Sequence, residues 1–457
     1  MRNSRIGNHL LPKLQEFLQQ FAETRIFKLL AGRRIWIWIL LALSQISFLV
    51  FLSITWPPVI LKLRVSEVDI PYWSSSIANF NKNHRGIKIR LIPEANTRGN
   101  FTEDLQRFYD IKFRDEDPDD LIYMDIIWVR KFTKKGWLLN LSDKISPADL
   151  AEFSQADINT GLAPGGQLYR IPLRSDIGMF YYRKDLLDQA RYKPPETFEQ
   201  LIKISKALQH NTGVKWGYLW QGREYEGLSA MFVEVLQGHG GFWIQPDTLK
   251  VGLDRPEAIA AVKFLLRTID ENISPHKGRD SVLFYSEQES LDAFAKGDAL
   301  FLRGWPDMWN KVNAIPLLRG NVGVQPMRMH VPGSKGGGCN GSWGLGIAKK
   351  SKHPQAAWEA IKYLTSPEAQ RQLILDTGFL PIRKSLFEDG SILKKYPYFK
   401  ELAKAVEASV LRPAIPQYGE ASEILQRYLH LALRKQLSPK EAMAEAAIET
   451  RQLLGRH

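Results

Sequence analysis

Along most of the chain, short apolar runs alternate with amphipathic stretches, the pattern of an α/β protein. IKIRLI (87–92) alternates with period two and predicts a strand; DLIYMDI (120–126) predicts another. FEQLIKISKALQ (198–209) has helical periodicity, and Thr197 with Gln200 forms a capping box at its start. Pro354 and Pro367 open two further helices, with Gly378 as the C-cap of the second. Ser438 and Glu441 cap a last helix.

One segment breaks the alternation. Residues 35–56, IWIWILLALSQISFLVFLSITW, carry no charge over 22 residues. A helix of that length is about 33 Å long, enough to cross the hydrocarbon core. Trp36, Trp38 and Trp56 sit near its ends, and Arg33 and Arg34 precede it. The positive-inside rule then puts the basic segment 1–34 in the cytoplasm and the bulk of the chain outside. No small-x-small cleavage site follows the run, so an uncleaved anchor is expected in preference to a signal peptide.

Charge and cysteine content narrow the field. Residues 1–64 hold nine basic and two acidic residues, a net +7 of the chain's +13. The remainder has no basic stripe with interleaved aromatics, which argues against a nucleic-acid partner. Cys339 is the single cysteine and the histidines are dispersed, so neither an intramolecular disulfide nor a metal centre is expected, nor any cofactor. The glycine-rich stretch 333–346 has no phosphate-loop signature and reads as a loop entering the strand WGLGIA. The acidic run DEDPDD (115–120) lacks the glycine and distal Glu of a calcium loop. Trp220, Tyr225, Trp243, Trp305, Trp309 and Trp343 lie near polar or glycine-rich turns. Each taken singly reads as core packing; as a set they fit sugar recognition, in which an aromatic face meets the C–H face of a ring and polar groups meet its hydroxyl fringe.

Five stretches, in order, carry a resemblance: DDLIYMDIIWVRKFTKKGWLLNL (119–141), GQLYRIPLRSDIGMFYYRKDLL (166–187), GYLWQGREYEGL (217–228), LFLRGWPDMW (300–309) and GSWGLGIAKKSKHPQAAWEAIKYLTSPEAQ (341–370). From about residue 65 onward the chain resembles the extracellular solute-binding proteins of ABC importers, in particular the trehalose/maltose-binding branch. The resemblance implies a two-lobed periplasmic-binding-protein fold of α/β type with a central cleft, preceded here by one N-terminal transmembrane helix. Lobe one would take residues 65–173 and 321–352, lobe two 177–319 and 354–457. Ligand contacts would come from Asp125, Trp128, Asp176, Trp305, Gly341 with Ser342 beside it, Trp343 and Arg412. The first loop, VSEVDIPYW (65–73), fits the family poorly, although it offers Glu67, Asp69 and Trp73. The expected protein is a monomer and not an enzyme. It would be anchored in the inner membrane with its binding domain on the periplasmic side, and would pass a disaccharide or glycosylated polyol to the permease subunits. Two other functions compete. Asp125 and Asp176 could form the carboxylate pair of a glycoside hydrolase, or the chain could be a sugar sensor docking on a signalling partner.

Overall fold

The structure, a computed structural model, describes residues 57–94 and 101–455 apart from His210, together with 19–20, 39–45 and 47. Residues Met1–Pro58 form one unit and Val59–His457 another. In the first unit, residues 39–45 and 47 are helical; the rest of the predicted 35–56 span lies outside the described residues, as does nearly all of 1–34. Among the described residues, no helix is long and apolar enough to cross a membrane.

The second unit is built on two groups of strands. In the first, β1 (Val59–Ser66) pairs in parallel with β2 (Ile87–Glu94), and β1 runs beside β3 (Leu121–Asp125). β9 (Trp343–Ile347) lies between β3 and β4 (Ile171–Arg174), antiparallel to both. The second group is a four-stranded sheet in the order β6 (Trp216–Leu219), β7 (Ala299–Gly304), β5 (Met179–Arg183), β8 (Val322–Pro326). β3, β7 and β9 are buried along their whole length. That is why they read as continuous apolar runs, with both faces of the sheet covered by helices.

Within residues 57–455 the named strands and helices fall where the pattern put them, with the three capping features formed. Thr197 and Gln200 complete a capping box, Ser438 and Glu441 another, and Gly378 ends the helix Pro367–Thr377 at φ 81°. The predicted division of the chain needs three corrections. β1 begins at Val59, six residues before the expected start of lobe one at 65, because VILKLR is a strand. β8, expected in lobe one from residue 321, pairs with β5 and so belongs to the second sheet. The helices Pro354–Leu364 and Pro367–Thr377, expected in lobe two, pack on the first strand group and on the helix Ile70–Asn83. In each case the partner is set by long-range pairing that a periodicity cannot specify.

Two segments pass between the strand groups: Ser175–Gly178 from β4 to β5, and Met327–Ser342 from β8 to β9. They bond each other there, Gly178 N–H donating to Cys339 O (3.0 Å) and Met327 N–H to Gly178 O (2.9 Å). A Cβ on Gly338 would lie 2.4 Å from Gly178 O, so glycine is required for this close backbone approach.

Candidate functional site

The crossing segments border a cavity of about 210 Å³. It is lined from the first strand group by Ser66, Asp69, Asp125, Arg174 and Trp343, and from the crossings by Asp176 and Gly341. The first turns of three helices point at it: Phe101, Thr102 and Glu103 from Phe101–Arg114; Glu226 and Gly227 from Glu226–Gly238; Glu287 and Gln288 from Glu287–Ala295. Tyr225, Trp305, Asp307, Met308, Lys311 and Arg412 complete much of the wall. The positive ends of those helices favour acidic side chains, which accounts for Glu103, Glu226 and Glu287 collecting at one cavity.

Asp125 ends β3 and is buried. Its Oδ1 accepts from Arg412 Nη2 at 2.8 Å, while Arg412 Nη1 donates to Glu226 Oε1 at 2.8 Å. One guanidinium therefore ties the end of a first-group strand to a helix packed with the second. Glu226 also accepts from Ser422 (2.6 Å) and from the Tyr418 hydroxyl. Glu103 accepts the backbone N–H of Glu226 at 2.6 Å. Burial, together with the Glu226 carboxylate, pushes Glu103 up to about 7.

Asp176 is buried, its N–H donating to Ser342 Oγ at 3.1 Å. Its Oδ2 lies 3.2 Å from Arg174 Nε. Burial pushes this carboxyl up to about 8; Arg174 pulls against it, but Asp307, Asp157 and Asp69 push the same way as burial. Arg174 is shared among several carboxylates, so its charge is divided. Asp307 is drawn below the usual carboxylate range despite its burial, because Lys311 Nζ donates to it at 2.8 Å. Among the described lining residues, five buried polar atoms have no hydrogen-bond partner: Arg412 Nε, Arg174 Nε, Asp176 Oδ1, Glu103 Oε2 and Ser66 Oγ. The wall thus offers two unpaired N–H donors, two unpaired acceptors and a hydroxyl.

The aromatic residues divide in two. Trp305 is half-buried at the cavity, its indole N–H donating to Glu287 (3.2 Å), which also accepts from Tyr225 (2.7 Å). Trp343 lines the cavity from β9 and stacks on Phe101, with ring centroids 5.5 Å apart. Gly341 is small because a Cβ there would come within 2.8 Å of the Trp305 ring. Trp128, expected at the site, is a core residue: it is 1% exposed and packs edge-on against Trp343 and Tyr109. Three residues after Asp125 is one helical turn on, which carries Trp128 behind the wall and not into it. Trp220 and Trp243 are also buried, the first donating to Ser274 (3.0 Å) and the second against Tyr418. Trp309 packs on Tyr398.

The structure therefore brings Asp125, Asp176, Trp305, Gly341, Trp343 and Arg412 to one cavity and leaves Trp128 out. From the loop 65–73 it adds Asp69, while Trp73 is core. Arg174 and Asp307 stand two residues from Asp176 and Trp305, so they were within reach of the motifs; Glu103 had no signal in the sequence. Both carboxylates considered as a hydrolytic pair already have arginine neighbours. Among the described residues no group of His, Cys, Asp or Glu is arranged to hold a metal. The acidic run is used for structure: Asp119 pairs with Arg64, and Asp120 accepts from Ser351 and the Lys352 and His353 N–H groups.

Residues 66–371 match the model of the bacterial extracellular solute-binding proteins. The chain belongs to that family. It is 26% identical over 347 residues to a probable ABC transporter-binding protein of Deinococcus radiodurans, covering 74% of this chain and 80% of the relative. It is 25% identical over 327 residues to a maltotriose-binding protein of Pyrococcus abyssi, covering 70% and 66%. Among solved structures it is similar to maltose-bound MalE3 of T. maritima, with a TM-score of 0.79, 29% identity, and 87% and 99% of the two chains covered. The unliganded and acarbose-bound receptor GacH of Streptomyces glaucescens shares the fold, at a TM-score of 0.76 and 21% identity. The fold is thus the two-lobed α/β fold of solute-binding proteins, and the family is one of binding proteins, not of enzymes.

Proposed function

We propose that this chain captures a small carbohydrate between its two lobes and delivers it to the permease of an ABC importer. The observation that carries this reading is the meeting of two tryptophans, Trp305 and Trp343, with unpaired polar atoms of Asp176, Glu103 and Arg412 around one cavity. A pyranose needs that combination, apolar faces for its C–H groups and fixed acceptors and donors for its hydroxyls. No proton transfer is required, so arginine-paired carboxylates suit the task. The names of the relatives, maltotriose-binding and maltose-bound, favour a glucose-containing ligand. Within that class, a disaccharide or a glycosylated polyol is the ligand put forward. Asp125, Asp176, Trp305, Gly341, Trp343 and Arg412 form the contact set, acting at the inner membrane's outer face, with residues 35–56 as the anchor.

A thermal-shift series on the soluble part, residues 57–457, tests the ligand: trehalose, maltose, sucrose, a glucosylated glycerol and maltotriose. A ligand that binds only the folded state stabilises it by RT ln(1 + [L]/Kd). We expect a rise with at least one two-ring sugar or the glycosylated polyol, and less with maltotriose. No rise with any of them sinks the carbohydrate reading. N-terminal sequencing of the protein from native membranes tests the anchor; a mature chain starting after residue 56 removes it.

A further inference from the structure

Behind Trp305 lies a charge pair that is not part of the cavity wall. Arg303, the residue before Gly304 on β7, is 0% exposed, and Glu234, on the helix Glu226–Gly238, is 2% exposed. They form a two-pronged bond: Arg303 Nη2 donates to Glu234 Oε1 at 2.7 Å and Nε to Oε2 at 3.1 Å. The guanidinium sits 4.0 Å from the centroid of the Trp305 ring, occupying one of its faces. The same Glu234 Oε1 accepts the backbone N–H of Cys339 at 3.0 Å. It also fills the space beside Gly178, where a Cβ would come within 1.7 Å of it. Gly178 and Cys339 are the points at which the two crossing segments bond each other.

A buried pair of this kind is weak evidence for stability, because well-packed apolar residues of similar volume often replace it without loss. What the geometry does supply is connection. One carboxylate contacts both crossings, and its arginine sits over the ring of Trp305 in the cavity wall. Glu287 fixes the same ring at its N–H edge, so Trp305, which lines the cavity, is held by its edge and by one face.

We infer that Arg303 and Glu234 are positioning residues: they set the orientation of Trp305 and tie it to the crossing segments. This rests on the reading of Trp305 as a sugar platform. Ligand affinity should then depend on two residues that touch no ligand, and the ring should be displaced when the pair is lost even in the unliganded protein.

The test uses the full-length chain in detergent, labelled with 5-fluorotryptophan, the Trp305 resonance being assigned by its loss in Trp305→Phe. The main variant combines Arg303→Met with Glu234→Gln, which leaves no buried charge and keeps an acceptor for Cys339 N–H. We expect it to melt close to the unsubstituted chain, to show a shifted Trp305 resonance without ligand, and to bind trehalose or maltose about tenfold more weakly. A folded double variant with an unmoved Trp305 resonance and unchanged affinity overturns the inference. Should the double variant not fold, Arg303→Lys keeps the charge but removes the flat guanidinium face, and the same two readouts decide. If the unsubstituted chain binds neither sugar, the carbohydrate reading fails, while the resonance in the unliganded protein still tests the positioning role.

Discussion

Replacing Arg412 by Met should be costly for folding as well as for binding. Its guanidinium is, among the described residues, the one cation joined to both Asp125 and Glu226, each at 2.8 Å, and Nη2 also reaches Asn340 O at 3.3 Å. Arg412 is 4% exposed, Asp125 3% and Glu226 7%, so solvent cannot take over the role of the lost cation. Removing one partner of a buried pair leaves an uncompensated charge, typically about 3–5 kcal/mol. Here two carboxylates lose the same partner, with Glu103 adding repulsion from the side. Glu226 keeps its bonds from Tyr418 and Ser422 and Asp125 keeps the Ile127 N–H, so we expect the lower part of that range. In a unit of this size each kcal/mol shifts the midpoint by about 2 °C or less, so the fall should be on the order of 5 °C. Chemical denaturation at pH 7.5 measures it, with Arg412→Met/Asp125→Asn/Glu226→Gln as the control that removes the stranded charges. The control should recover much of the stability, yet still lack ligand affinity because Arg412 Nε is gone. A single Arg412→Met variant as stable as the unsubstituted chain would refute the clamp.

Trp305→Ala should cost affinity by about 1–3 kcal/mol in calorimetry with little change in melting. Trp343→Ala should lose both, because Trp343 also packs on Tyr123 and Trp128 in the core and such a truncation costs about 3–5 kcal/mol. Asp176 has its folded pKa raised from 3.8 to about 8, so the folded chain binds the extra proton between those values. Stability should therefore fall as pH rises through that window, by up to about 1.4 kcal/mol per pH unit; Asp176→Asn should flatten this part of a denaturation-against-pH profile, and identical slopes would refute the assignment. Gly338→Ala should weaken folding, since its Cβ would meet Gly178 O at 2.4 Å; unaltered melting would show that the crossing relaxes.

The helices announced themselves through caps, because a cap is a local event: Ser438 and Glu441, or Thr197 and Gln200, satisfy backbone groups three residues away. Strands such as LIYMD and WGLGI were legible as apolar runs for a related reason, since burial on both faces leaves no polar alternation. The contact set was legible only through motifs in a fixed order, and periodicity alone did not separate Trp343, which faces the cavity, from Trp128, which lies behind it.

Tertiary structure decided everything that depends on a partner distant in the chain. β8 joins the second sheet through β5, some 140 residues earlier, and no local signal marks that choice. Arg412 finds Asp125 across 287 positions and Glu226 across 186; its role as a bridge exists only once both have been folded against it. Glu103 was invisible for the same reason. A glutamate in the first turn of a helix is an ordinary surface feature until another helix start, that of Glu226, is packed against its carboxylate. The sequence determined which segments become helix and strand because those choices are made within a few residues; the fold determined the cavity because burial, charge sharing and unpaired atoms arise between segments.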